Sequence, residues 1–160
     1  MQIKINFIFY TLQNSLKIYF IYSEKFLRLL KLKNGGMKLR VLFVTTEHPG
    51  FLYGGLGTFT REYVRELRRY ADVVCVYFHL REGPLPVPDE TVDYVFAPNR
   101  IFEAFSPDAQ ILEVAASFRA QLDPLIKSFK PDVIHCNDRQ TYLPFRFEKN
   151  VFYSSHLIFI

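Results

Sequence analysis

Tryptophan is absent from the 160-residue chain, and there are only two cysteines and two methionines. Two cysteines cannot supply a disulfide framework for a chain this long. Cys75 and Cys136 each lie inside an apolar, strand-like run. Both are expected to be buried free thiols, which suits a reducing cytoplasm. Long hydrophobic runs are also missing. Lys4, Asn6, Gln13, Asn14 and Lys17 interrupt the apolar N-terminal stretch well before the roughly 18 residues a membrane-crossing helix needs. There is no clean apolar region followed by a small-residue cleavage site, so a secretory signal is not expected. The formal charge of +4 is not a basic surface on the folded part. Residues 1–36 carry a net +5 and the remainder a net −1. A near-neutral body argues against a nucleic-acid platform. With 49% apolar residues and no long low-complexity tract, one packed domain is the expectation.

The first 36 residues differ in composition from the rest, rich in Ile, Phe, Tyr, Lys and Asn, with no Pro or Ala. Residues 15–32 can be drawn as a basic amphipathic helix with Leu16, Tyr19, Phe20, Phe26, Leu29 and Leu30 on one side, suited to an anionic membrane surface. The favoured reading is plainer. Met37-Lys38-Leu39-Arg40-Val41-Leu42-Phe43-Val44 reads as the natural start of a strand-first domain, and 1–36 as a mis-assigned start. N-terminal sequencing of the native protein that found Met1 would refute this.

From residue 37 onward strand and helix patterns alternate. Strands are predicted at about 39–46, 71–78, 92–97, 131–136 and 151–160. Phe59, Tyr63, Val64 and Leu67 recur at helical spacing across 58–70, with Thr58 or Thr60 as a cap. Pro107-Asp108 opens a second helix through about Leu122, carrying Ile111, Leu112, Val114, Ala115 and Phe118 inward. Pro124 is expected to kink or restart it before Leu125, Ile126 and Phe129. Residues 143–147 form a short helix. The prolines at 84, 86 and 88 exclude regular structure there. Continuously apolar strands separated by helices define an α/β class, a Rossmann-like parallel sheet with helices on both faces. Ligands bind such sheets beyond the carboxyl ends of the strands. Three polar or glycine-rich clusters fall there: Gly54-Gly55-Leu56-Gly57, His135 to Asp138, and Ser154-Ser155-His156.

The glycine loop joins a strand to a helix, where bare amides and the helix dipole favour a phosphate. Its plain alternative is a turn needing positive φ. A dinucleotide site does not fit: Gly55-Leu56-Gly57-Thr58-Phe59-Thr60 lacks the third glycine, and Tyr77, Phe78 and His79 supply no acid for a ribose.

Glu47-His48-Pro49 followed by Gly54-Gly55-Leu56-Gly57 resembles the opening of glycogen and starch synthases and related retaining glycosyltransferases of the GT-B fold. Lys130-Pro131-Asp132-Val133-Ile134-His135-Cys136-Asn137-Asp138-Arg139-Gln140-Thr141 resembles that family's Pro-Asp-Val-(Ile/Val)-His-x-x-Asp-Trp-Gln segment. Residues 151–157 are similar to its next strand, which ends in a histidine. Order and approximate spacing agree across 37–160. The resemblance implies ADP-glucose or UDP-glucose as donor, an α-1,4-glucan as acceptor, and no cofactor or metal. It implies that Asp138 and His156 are catalytic, that Gly54, Gly55, Leu56 and Gly57 face the donor diphosphate, and that Glu47 and Tyr53 belong to the substrate site. His135 matches the motif's first histidine, as a substrate contact or as a core-edge residue orienting the loop.

Three positions depart from the family pattern: Tyr53 replaces a lysine, Thr58 an acidic residue and Arg139 the motif tryptophan. They widen the expectation from glycogen synthesis to the broader glycosyltransferase group. The resemblance also implies a second, nucleotide-binding domain, which the 37–160 segment does not contain. Residues 37–160 are therefore expected to be a truncated N-terminal domain, inactive alone, with a separate chain carrying the other domain as a candidate partner. The competing expectation is a non-catalytic sugar- or nucleotide-binding α/β module. A flavodoxin-like or dehydrogenase domain ranks third.

Overall fold

The computed structural model describes residues 38–50, 55–80, 83–97, 108–137 and 139–154. Five strands form one sheet: β1 (Leu39–Thr45), β2 (Ala71–Phe78), β3 (Tyr94–Phe96), β4 (Val133–Cys136) and β5 (Val151–Tyr153). Helix α1 (Gly55–Leu67) joins β1 to β2, and α2 (Asp108–Phe129) precedes β4. The single turn α3 (Arg139–Tyr142) and a 3-10 turn (Leu143–Phe145) lead into β5. All strand pairs are parallel, in the order β3-β2-β1-β4-β5. This is a Rossmann-like α/β fold.

Strand alternation divides the core between the two faces. Leu39, Val41 and Phe43 of β1, with Cys75 and Tyr77 of β2, pack on Phe59, Tyr63, Val64 and Leu67 of α1. Leu42, Val44, Val76, Phe78, Ile134 and Cys136 pack on Val114, Phe118 and Leu122 of α2. Side chains thus point alternately to opposite faces, and a helix covers each face, which is why the strands read as unbroken apolar runs. The Phe78 and Phe118 rings stack 3.7 Å apart and pin α2 to the sheet. Arg119 of α2 pairs with Asp123 and Glu148, 2.8 Å from each, and lies over the Phe145 ring. It thereby ties the helix to the turn before β5.

The sheet is also stitched at the ends of its strands. Asp132 accepts the Arg40 amide at 2.9 Å and returns its own amide to the Arg40 carbonyl. On the other side Asp93 accepts the Cys75 amide at 2.7 Å, and Arg68 bonds Asp93 and the Glu90 and Thr91 carbonyls. Arg68 follows the last residue of α1, so one guanidinium holds both the helix end and the approach to β3.

Several element bounds differ from expectation. Helix α1 starts at Gly55 rather than 58, so Thr58 and Thr60 lie inside it and neither caps it. Thr58 is exposed and Thr60 is buried against the sheet. Helix α2 runs through Pro124 without a break. Pro124 is on the exposed face, where water can hydrate the carbonyl that loses its amide partner. It ends where Lys130 turns left-handed (φ 50°), its amide on the Ile126 carbonyl. The third strand is three residues long, because Thr91 and Val92 are taken into a turn bonded to Asp89. Residues 155–160 of the expected fifth strand lie outside the described residues. So do residues 1–36, with both readings offered for them.

Candidate functional site: a buried polar relay at the switch point

The strand order reverses direction between β1 and β4, and an open parallel sheet forms its binding crevice beyond such strand ends. Thr45 ends β1 there, Asn137 follows β4 and Ser154 follows β5. The hydrogen bonds Asn137 N to the Val44 carbonyl and Ser154 N to the Cys136 carbonyl, both 2.9 Å, set the three exits side by side.

Their side chains form one connected network with α1. Tyr63 Oη lies 2.8 Å from His135 Nδ1, and His135 Nε2 lies 3.0 Å from Ser154 Oγ. Ser154 Oγ donates to Asn137 Oδ1 at 3.3 Å. Asn137 Nδ2 donates to Thr45 Oγ1 at 3.2 Å, and the Glu47 amide donates to the same oxygen at 3.1 Å. Thr45 Oγ1 in turn meets Thr60 Oγ1 at 3.5 Å. Every side chain from Tyr63 to Thr60 in this series is buried, at 4% exposure or less.

One assignment of protons with a neutral imidazole satisfies these contacts. Ser154 has one hydroxyl hydrogen, and its acceptors are Asn137 Oδ1 at 3.3 Å and the Cys136 carbonyl at 3.5 Å. With that hydrogen turned away from the ring, Ser154 accepts from His135 Nε2–H, and Nδ1 of the neutral imidazole accepts from the Tyr63 hydroxyl. Thr45 Oγ1 accepts two N–H groups and also meets the Thr60 hydroxyl, where either oxygen can be the donor. In this assignment the relay runs from Tyr63 through His135, Ser154 and Asn137 to Thr45. Buried polar groups require such partners, since an unmet one costs about 1–3 kcal/mol. Aromatic packing holds the imidazole in place: it stands edge-on to Phe43 and Tyr63 at 5.1 and 5.2 Å, and Tyr63 stacks on Phe59 at 5.4 Å.

A second polar group lies beyond β1 and β2. His48 Nδ1 accepts the Gly50 amide at 3.0 Å, and its ring meets Tyr77 edge-on at 5.1 Å. Tyr77 Oη is 3.3 Å from His79 Nδ1. Burial pulls the His48 pKa below its ordinary value; Asp89 and a backbone hydrogen bond at Val87 oppose that shift, and His79 adds to it.

The expected site residues fall as follows. Gly55 opens α1, and Leu56 and Gly57 belong to its first turn, not to a loop before it. Glu47 is half-buried just past β1, with its amide on Thr45. His135 is buried, and its two ring nitrogens meet Tyr63 and Ser154. Tyr53, Gly54, Asp138 and His156 lie outside the described residues. Asn137 directly precedes Asp138 in the chain, and Ser154 stands two residues before His156.

Sequence reasoning gives no role to Thr45, takes Thr60 only as a candidate helix cap and Asn137 only as part of the His135 to Asp138 cluster, and reads Tyr63 as core alone. One signal was present: a tyrosine on the inward face of a helix carries a hydroxyl that must find a partner. Which partner could not be read, because His135 is 72 residues away.

Among the described residues no group of three His, Cys, Asp or Glu side chains is placed to hold a metal, and no helix is long and apolar enough to cross a membrane. A depression of about 330 Å³ lies at the opposite, amino end of β1 and β4. Its lining interleaves Arg40, Lys130 and Lys149 with Asp132 and Glu148, so no single charge converges there. No protein-family model matches the chain, and no curated protein matches it.

Proposed function

We propose that residues 37–160 form the acceptor-side N-terminal domain of a retaining GT-B glycosyltransferase of the glycogen and starch synthase type. The donor is ADP-glucose or UDP-glucose and the acceptor an α-1,4-glucan. One observation carries this reading: the strands bearing the family-like segments end side by side at the switch point, joined by the Thr45–Asn137–Ser154 hydrogen bonds. Asp138 follows Asn137 directly in the sequence, and His156 stands two residues after Ser154.

Transfer of a glucosyl group passes through an oxocarbenium-like state that needs negative or dipolar stabilisation at the sugar. In this reading Asp138 and His156 meet that need, and Glu47, Tyr53 and His135 belong to the surrounding substrate site. The departing diphosphate needs the opposite sign of charge. The amino end of α1, at Gly55, supplies amides that have no partner within the helix and the positive end of the helix dipole. A nucleotide-binding domain, carried in this proposal by a separate chain, supplies the remaining cations. A cytoplasmic setting belongs to the same proposal and is supported by two buried free thiols.

The decisive variant is Gly55→Asp. A carboxylate at the first position of α1 favours the helix by about 0.3–1 kcal/mol, yet repels a phosphate. Calorimetric titration with ADP-glucose and UDP-glucose should show binding to the wild type that the variant loses with its stability intact. Equal affinity in the two proteins overturns the diphosphate role. A second reading, a non-catalytic sugar- or nucleotide-binding module, is favoured by the relay itself, whose members are all uncharged polar groups apart from the imidazole. Glucosyl transfer from either donor after mixing with lysate supports the first reading; binding without transfer supports the second.

A further inference from the structure

The relay spans three strand exits, which simple core packing does not require. Each exit could be closed by its own local bonds, as the Asx turn at Asp89 closes the approach to β3. Instead one series of side chains runs from the first helix through β4 and β5 and back to β1, linking residues up to 92 apart. Its direction is set by one imidazole tautomer. Reversing that tautomer would leave Ser154 donating to His135 and so withdraw its hydrogen from Asn137. Asn137 would then lose the bond that orients its amide toward Thr45.

We infer that His135 is a positioning residue: its ring, held between Tyr63 and Ser154 as the Nε2–H tautomer, keeps the exits of β1, β4 and β5 in one fixed mutual arrangement. The inference rests on the proposed function only for its purpose, which is to hold the strand ends of the proposed sugar-nucleotide site in register. The device itself is a matter of proton location. Tyr63 acts from the sheet-facing side of α1: its hydroxyl meets Nδ1, and the ring carries its proton on Nε2 toward Ser154. Ser154 passes the same polarity to Asn137, whose NH2 group and the Glu47 amide share the Thr45 oxygen. The aromatic surroundings of the imidazole hold the ring in position while leaving its proton location to Tyr63 and Ser154.

The test uses the full chain labelled with nitrogen-15 at histidine, in wild type, Tyr63→Phe, Ser154→Ala and the control Tyr70→Phe, an exposed residue in the turn after α1. Ring-nitrogen NMR should show His135 as the Nε2–H tautomer in the wild type and the control. Tyr63→Phe, which keeps the stacked ring, should shift it toward a mixture. Amide exchange at Glu47 should speed up in Tyr63→Phe and Ser154→Ala, although neither residue bonds that amide. Affinity for ADP-glucose or UDP-glucose should fall roughly tenfold in Tyr63→Phe, the equivalent of losing one well-made hydrogen bond. An unchanged tautomer in Tyr63→Phe, or faster exchange confined to α1, overturns the inference. If the wild type binds neither sugar nucleotide, the proposed function fails, and the tautomer and exchange measurements still judge the relay. If Tyr63→Phe does not fold, the exchange pattern of Ser154→Ala decides.

Discussion

Replacing Thr45 by valine keeps the shape of the side chain and removes one oxygen. That oxygen accepts the Asn137 side-chain N–H at 3.2 Å and the Glu47 amide at 3.1 Å, and Thr45 is fully buried. Two donors would lose an acceptor in a place water does not reach freely. At about 1–3 kcal/mol for each buried donor left unmet, and less for the half-buried Glu47, the expected loss is about 2–4 kcal/mol. Thr45→Ser keeps the oxygen and deletes one methyl group, for about 1 kcal/mol. Thr60→Val removes only the long 3.5 Å contact and should cost less than about 1 kcal/mol. Urea denaturation at constant slope measures all three. Against a total of roughly 5–15 kcal/mol, the Thr45→Val loss is large enough to read without ambiguity. If Thr45→Val costs no more than Thr45→Ser, the oxygen is not the common acceptor described, and the series through Asn137 fails with it.

Other perturbations probe other parts of the molecule. Phe118→Ala removes a buried ring stacked 3.7 Å from Phe78 and should cost about 3–5 kcal/mol by denaturation, whereas Phe118→Leu should cost less than half of that. The His48 pKa is lowered in the fold, so below its unfolded value of 6.5 the unfolded chain takes up a proton that the native state resists. The stability this neutral histidine contributes is present above that pH and is lost as the pH falls; His48→Gln should flatten the decline in pH-dependent thermal unfolding. Burial, reinforced by Asp93, pushes the Cys75 thiol pKa up, and Cys136 is likewise buried and free. Neither thiol should react with an aromatic disulfide reagent until denaturant is added, and rapid labelling of native protein would contradict the described packing.

The parts of the fold that depend on apolar pattern could be read directly. The second strand was expected at 71–78 and is found there, because each of its faces meets a helix and no residue interrupts the run. Bounds set by competing hydrogen bonds could not be read. The start of α1 moved three residues earlier because Gly55, Leu56 and Gly57 can take helical angles as readily as turn angles. Thr91 and Val92 left the third strand because the Asp89 carboxylate captures both amides at 2.7 Å. At the candidate site the segments were legible and their joinery was not. His135, Asn137 and Ser154 stood out as polar residues ending apolar runs. Their order of donation depends on Tyr63 and Thr45, which periodicity marks only as inward-facing. Periodicity reports which face a residue takes, not which atom its polar tip will meet.

Strand β1 lies at the centre of the sheet, and its two neighbours come from very different distances along the chain. Leu39 meets Ala71 on one side through α1, while Arg40 is bonded to Asp132, 92 residues away, on the other. The longer closure costs about 1 kcal/mol more in chain entropy, so the β1–α1–β2 unit is expected to assemble first and the β4–β5 half to dock onto it. Tyr63 and Thr45 belong to the early unit; His135, Asn137 and Ser154 belong to the late one. The relay is thus the seam between two folding steps, and transient detachment of the later half would undo every one of its cross-links at once.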